Sequence, residues 1–448
     1  MSASPSESDN YGYKFWRETL RGARLVVAPM VDASELAWRL LSRKYGAELC
    51  YTPMFHSVNF VKDFKYRRDN FQSCDADRPL IVQFCANDPK VLVEAARLVQ
   101  GQCDAVDLNL GCPQTIARRG HYGSFLQDEW DLVRELVDSV RREVDIPITC
   151  KVRVFPEIEK TVAYAKMLES AGCYLLTVHG RTREQKGRDT GLASWAHIKA
   201  VKQAVKIPVF ANGNIQYLED ALRCMEETGV DGVMSAEGNL HNPAIFANRS
   251  PVVWEMAEEY LQLVKKHPTP ISYVRGHLFK MMTHCMMLPE CKEKREILAS
   301  GTSLVEFEEV VAGLKDLFLP YHHKEKEFFG MNEKLPFPPW ICQPYVRPPP
   351  KPVDESGGVK RITEDENGDV VKKQKRKGNK RKKPDRIAFE LCDGERCGNP
   401  RGGKCDFKLC KICCRAKCSD EVLDCTSHRI WVKAFRDKEL PQLESDCR

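Results

Sequence analysis

The chain has 448 residues, is 42% hydrophobic and 29% charged, and carries a formal net charge of +6. That length exceeds one ordinary domain and points to two or three. No apolar run reaches the ~18 to 20 residues a membrane-spanning helix needs, and the opening MSASPSESDNYGYKFWRETL lacks the apolar core of a secretory signal. No membrane partner is expected, and a reducing location, cytoplasmic and/or nuclear, is the default. There the 20 cysteines should be free, metal-bound or catalytic rather than disulfide-bonded.

Residues 1–20 form a polar N-terminal segment. Between 21 and 250 a unit repeats: a short apolar run ends in a polar or glycine-containing turn, and an amphipathic stretch follows. The runs are RLVVAPM (24–30), LCYTPM (49–54), LIVQFCA (80–86), AVDLNLG (105–111), ITCKVRV (148–154), LLTVHGR (175–181), IPVFANGN (207–214) and GVMSAEG (232–238). Helical patterns lie between most of them, such as DPKVLVEAARLVQ, with Asp88 placed to cap and Pro89 at the first helical position. Runs this apolar predict strands covered on both faces, hence a parallel sheet. Eight strand–helix units predict a (β/α)₈ TIM barrel of the α/β class. The rival, an open doubly wound sheet, lacks a G-x-G-x-x-G after its first strand.

In a barrel, chemistry gathers at the C-terminal ends of the strands. The unusual residues there are Met30, Gln83, Asn109, Cys112, Lys151, Arg153, His179, Arg181, Asn212 and Asn214. Cys50, Cys85, Cys103, Cys150 and Cys173 fall within or beside the apolar runs and are expected as core filler. Residues 251–325 turn helical and predict a small bundle after the barrel. Residues 326–391 are rich in proline and charge and read as a linker. Within them Lys372–Lys383 (KKQKRKGNKRKK) holds nine basic residues and no acid, so the remainder carries 6 − 9 = −3. Such a run suits nucleic-acid contact or nuclear import.

The last segment, 392–448, contains Cys392, Cys397, Cys405, Cys410, Cys413, Cys414, Cys418, Cys425 and His428 at C-x4-C, C-x4-C-x2-C and C-x2-H spacings. Thiolate-rich sets of this kind are typical of structural zinc. Nine candidates fill two four-ligand sites with one to spare, and the pairing stays open. The segment is too poor in apolar residues to fold by burial alone.

The motifs VAPMVDAS, VQFCANDP, DLNLGCPQ, CKVRV, LTVHGRTREQ and VFANGNI, in that order over residues ~24 to ~320, resemble the tRNA-dihydrouridine synthases. The loop NLGCPQ…RRGHYGSFL and the cysteine-rich tail look most like the eukaryotic type that acts on uridines 16 and 17 of the D-loop. The resemblance implies an FMN over the C-terminal mouth of the barrel, with NADPH as electron donor and tRNA as substrate. It implies contacts to the flavin ring from Pro29, Met30, Val31, Gln83, Lys151 and His179. It places Asn212, Gly213, Asn214, Ala236, Glu237 and Gly238 at the ribityl chain and phosphate. Glu237 departs from the family pattern, which has an arginine there, so charge neutralisation must come from elsewhere.

The resemblance further implies that hydride reaches C6 of a uracil and that Cys112 delivers the proton to C5. An ordinary thiol, pKa ~8.5, is mostly protonated at neutral pH and suits a donor. A nucleophilic cysteine would need a lowered pKa. Arg118, Arg119 and His121 follow in a loop at the mouth, and with Arg153 and Arg181 the four arginines are expected to meet substrate or tRNA phosphate. A monomer is expected. Two readings of other classes remain: a flavin barrel acting on a free pyrimidine, which would leave the basic run and tail without a purpose, and a catalytically silent RNA-binding protein, which would be colourless.

Overall fold

The computed structural model describes residues 11–329, 335–346, 363–364, 370–371 and 390–433 except 396, 398, 400, 403, 404 and 429. The basic run Lys372–Lys383 lies outside the described residues. The chain divides into two units, 1–351 and 352–448.

The first unit begins with the expected barrel. Its strands are β1 (Leu25–Val27), β2 (Leu49–Tyr51), β3 (Phe55–His56), β4 (Leu80–Cys85), β5 (Ala105–Leu110), β6 (Ile148–Arg153), β7 (Leu176–His179), β8 (Val209–Asn212) and β9 (Gly232–Ser235). Eight of them close a parallel ring in the order β1-β2-β4-β5-β6-β7-β8-β9. Closure is made by β9 against β1, with Val26 beside Met234, and by β2 against β4, with Cys50 beside Leu80. The two-residue β3 extends the edge of β4 at Phe84 and Cys85. The apolar runs become strands because both faces are covered, as in β4, where all six residues are buried. Asp88 caps the helix Pro89–Val99 by accepting from the N–H groups of Lys90 and Val91. Cys50, Cys85, Cys103, Cys150 and Cys173 are all buried, as expected of filler.

One end of the barrel is stoppered. The helix Tyr11–Glu18 sends Phe15 into a cluster with Leu20, Val26, Leu49, Tyr51, Ile81, Ala105, Phe210 and Met234. Its Gly12 lies so close to the strand starts that a Cβ would stand 2.5 Å from the Tyr174 carbonyl. This is the N-terminal end, so the pocket opens at the other.

The helical region contains Val253–Lys266, Ile271–Met281, Lys292–Ser300 and Leu304–His322, the last begun by a Ser303/Glu306 capping box. It docks on the barrel helix Leu36–Lys44 through Glu35, which accepts from Tyr260 at 2.7 Å and pairs with His277 at 2.9 Å. His277 also stacks on Trp38, with ring centroids 4.0 Å apart. Part of the expected linker is packed structure. Residues 335–346 return over this unit, burying Trp340 and Cys342, bridging Val252 to Ile341 and donating from the Cys342 N–H to the Pro251 carbonyl at 2.8 Å. The proline content that reads as linker here fits a strap with little ladder bonding of its own.

The second unit contains the helix Lys411–Asp420 and a two-residue pairing of Asp424–Cys425 with Ile430–Trp431. Among the described residues its buried cluster is six cysteines with Leu409 and Ile430, with Phe407, Leu423 and Val432 packed against it. Two buried aliphatic side chains contribute only ~1.5–3 kcal/mol each, against ~1–2 kcal/mol for ordering each backbone residue. Apolar burial of this size does not offset that cost. Among the described residues no helix is long and apolar enough to cross a membrane.

Within the barrel, Arg39 and Asp77 form a buried bidentate pair, 1% and 0% exposed, with bonds of 3.2, 3.0 and 2.7 Å. Arg39→Ala strands that carboxylate with only Arg43 and Ser73 as side-chain partners. The variant is expected to lose about 3 kcal/mol of stability, read from the urea midpoint; a loss under about 1 kcal/mol would refute the assignment.

Candidate active site

The C-terminal ends of β4 to β8 bring one polar cluster together. At its base lies Asp107 of β5, buried, accepting from Gln83 Nε2 at 2.8 Å and Thr149 Oγ1 at 2.7 Å. Gln83 Oε1 accepts in turn from Asn109 Nδ2 at 2.8 Å. Asn109 Oδ1 then accepts the backbone N–H groups of Gly111 at 3.1 Å and Cys112 at 2.9 Å. A buried carboxylate is thus linked by two amides to the backbone of Cys112. From above, the Cys112 carbonyl accepts from Ser124 N–H at 3.1 Å and Ser124 Oγ at 3.0 Å. Gly123, at φ +67°, lies so close that a Cβ would stand 2.8 Å from that carbonyl. Cys112 packs against Cys85, Ala117 and Tyr122, as do Met54 and Phe125.

The neighbouring strands supply positive charge. Lys151 donates to Asn212 Oδ1 at 2.9 Å, and Asn212 Nδ2 to the Met234 carbonyl at 2.9 Å. Burial, with the charge of Arg153, pushes the Lys151 ammonium down to about 8. His179 is held well below its ordinary range by burial and by Lys151, Arg153 and Arg181, so it is neutral. Arg181 Nη1 lies 3.1 Å from His179 Nε2. Arginine only donates, so this contact leaves the imidazole proton on Nδ1.

His179, Arg181 and Asn212 open onto a cavity of about 940 Å³, lined also by Gly213, Asn214 and Ser235–Ala236–Glu237–Gly238. Gly213 holds φ +113°, and a Cβ there would stand 2.5 Å from Ala193 Cβ; one at Gly238 would collide with the Ile215 carbonyl and lie 2.9 Å from Ser235 Oγ. The backbone therefore forms a cradle that only glycine permits. With two cationic side chains and a neutral histidine at its rim, the donor set fits an electron-rich ring carrying an anionic tail, as FMN does. Arg181 and Arg223 line the same cavity as Glu237 and Asp220, and Arg223 pairs with Asp220 at 2.7 Å.

Several expected residues take other positions. Arg153 is 8% exposed and donates to the carbonyls of Gly111 at 2.8 Å, Thr182 at 2.6 Å and Gln185 at 3.0 Å. It braces two loops rather than offering a guanidinium to tRNA. Asn214 Oδ1 accepts from Arg181 and the Ala193 N–H, and its Nδ2 donates to the Ala193 carbonyl, so the amide staples the loop after β7. Met30 packs against three hydrophobic clusters, among them that of Phe15, while Val31 is 59% exposed and lines a separate hollow beside Asp32 and Glu35. The expected mobile loop after Cys112 is instead a helix, Thr115–Gly120, anchored by buried Ala117. Arg118 lies on it, in a surface hollow shared with Phe125, Arg183 and Lys186. His121 pairs with Glu129 at 2.6 Å.

In the C-terminal unit, Cys392, Cys397, Cys410 and Cys413 gather, as do Cys405, Cys414, Cys425 and His428, and each set is fit to hold a metal. Cys418 falls outside both.

Sequence reasoning missed Asp107, Trp195, Arg223 and the strap residue Tyr345, all at the site or lining the cavity. A lone acid in the apolar run AVDLNLG was the available signal for Asp107.

Burial pushes the Asp107 carboxyl up to about 6, against the bonds from Thr149 and Gln83 and the charge of Lys151. Its folded value lies above its unfolded one, so its stabilisation is present below about pH 4 and lost as pH rises through about 6. Urea midpoints of wild type and Asp107→Asn are expected to diverge over that window, wild type losing ~1–3 kcal/mol relative to the variant; parallel profiles would refute the role.

Residues 26–319 match the family model for dihydrouridine synthase (Dus). A Mus musculus protein called tRNA-dihydrouridine(16/17) synthase-like is 54% identical over 442 residues, covering 96% of this chain and 92% of that one. The Saccharomyces cerevisiae tRNA-dihydrouridine(16/17) synthase is 44% identical over 78% of this chain and 89% of its own length. A Homo sapiens tRNA-dihydrouridine(20a/20b) synthase-like protein is 38% identical over 63% of this chain and 89% of its own. With the family model spanning the barrel and the helical region alike, the chain belongs to the dihydrouridine synthase family.

Proposed function

We propose that this protein reduces uridines in the D-loop of tRNA, at positions 16 and 17, to dihydrouridine, with FMN as cofactor and NADPH as electron donor. Family membership and the relatives named for the 16/17 reaction support the substrate; the relative named for 20a/20b is less similar and matches a shorter stretch. The observation that carries the chemistry is Cys112 at the end of β5, fixed from below by Asn109 and from above by Ser124, within electrostatic reach of Lys151.

When bound, the reduced flavin supplies the hydride that C6 of the uracil receives. The Cys112 thiol delivers the proton to C5, and the resulting thiolate recovers its proton from solvent. Lys151 and the Nδ1–H of neutral His179 offer donors to the electron-rich face of the cofactor. Asn212, Gly213 and the turn Ala236–Gly238 cradle its tail.

A stacked uridine reaches the pocket only after extrusion, at a cost of a few kcal/mol. The hollow of Arg118, Phe125, Arg183, Glu184 and Lys186, in which Arg183 pairs with Glu184, offers the cations of Arg118 and Lys186 and the ring of Phe125 to recover it. There Arg183 lies 5.6 Å from the Phe125 ring centroid, and Lys186 donates to the Pro113 carbonyl next to Cys112 at 2.8 Å. The basic run Lys372–Lys383 adds charge for the same polyanion.

Cys112→Ala is expected to keep NADPH-driven bleaching of the flavin while dihydrouridine formation, counted by mass spectrometry of tRNA, falls about 10²- to 10⁴-fold; near wild-type product would sink the proton-donor role. Arg118→Ala is expected to weaken tRNA binding several-fold and to lower the slope of log affinity against log salt by about 1. An unchanged slope in a filter-binding titration would remove Arg118 from the interface.

A further inference from the structure

The two tetrads of the C-terminal unit are interlocked along the chain. Donor atoms within each set lie within 4.8 Å of one another. Individual separations are 3.8 Å for Cys397–Cys410, 3.7 Å for Cys405–Cys414 and 3.7 Å for Cys425 Sγ to His428 Nδ1. A tetrahedron with Zn–S bonds of ~2.3 Å has edges of ~3.8 Å, whereas a disulfide would need ~2.0 Å. Cys392 Sγ accepts the N–H groups of Cys410 at 3.0 Å and Gly394 at 3.4 Å. The backbone is shaped to the ligands: a Cβ at Gly394 would stand 2.8 Å from Cys413 Sγ, and one at Gly402 would collide with the His428 ring.

Cys405 of the second set lies between the two pairs of the first. Cys413 and Cys414, adjacent on the helix Lys411–Asp420, go one to each set. Ordering residues 405–414 around either ion therefore places ligands of the other. We propose that residues 392–428 fold around two structural zinc ions, one held by four cysteines and one by three cysteines and a histidine, whose loading is mutually dependent. Zinc suits these sets because it accepts tetrahedral thiolate and imidazole ligands and brings no redox chemistry. Cys418 is buried one helical turn beyond Cys414, with sulfurs 3.9 Å apart, and is no ligand in this pairing. The inference is independent of the uridine chemistry.

The test uses the full-length protein under reducing conditions. Elemental analysis is expected to give two zinc ions per chain and no iron in the wild type and in Cys418→Ser. Cys413→Ser and His428→Ala are each expected to hold at most one, with flavin absorbance retained as a check on the barrel. Wild-type protein stripped of metal and given one equivalent of zinc is then examined by native mass spectrometry. Mutual dependence keeps the singly loaded species well below half of all chains, and about tenfold coupling brings it to about a quarter. A singly loaded population of half or more, as independent sites require, would overturn the dependence. Fewer than two zinc ions in the wild type, iron in their place, or loss of zinc from Cys418→Ser would overturn the sites themselves.

Discussion

The carboxylate of Asp107 sits in the interior of the barrel and touches no solvent, yet the geometry of the whole mouth follows from it. A carboxylate only accepts, so the amide of Gln83 must turn its nitrogen inward and its oxygen toward Asn109. Asn109 then has only its oxygen left for the backbone of Cys112. Three strands are tied at one point, since Gln83 belongs to β4, Asp107 and Asn109 to β5, and Thr149 to β6. The thiol is positioned through its main chain, which leaves the sulfur itself available to a substrate. Such a network is costly when half satisfied and specific when complete.

Charge at the mouth divides by job. Lys151 faces the site, its ammonium lowered by burial and by Arg153. Arg153 itself points into backbone carbonyls and holds the loops after β5 and β7 together. Burial first, then the charges of Lys151, Arg153 and Arg181, keep His179 neutral. Positive charge is thus concentrated around the site while one of its members still serves as a neutral donor.

The barrel was legible because runs such as LIVQFCA and ITCKVRV are apolar without alternation, the mark of strands buried on both faces. Gln83, Lys151, His179 and Asn212 could be singled out because a polar side chain at the end of such a run is costly to bury unless it meets a partner or a ligand there. What the sequence hid was direction. Arg153 and Arg181 differ by which carbonyls and amides surround them, and spacing says nothing of that. The strap at 335–346 was hidden by its prolines, although Trp340 and Cys342 are the kind of residues that pack. Pairing of the C-terminal ligands was out of reach for a similar reason: adjacent cysteines look like one site in sequence and belong to two in space.

The stoppered end of the barrel has a consequence for access. With Phe15 and Leu20 filling the floor, any ligand of the barrel enters and leaves by the opposite mouth, and the small N-terminal helix is what closes the other door.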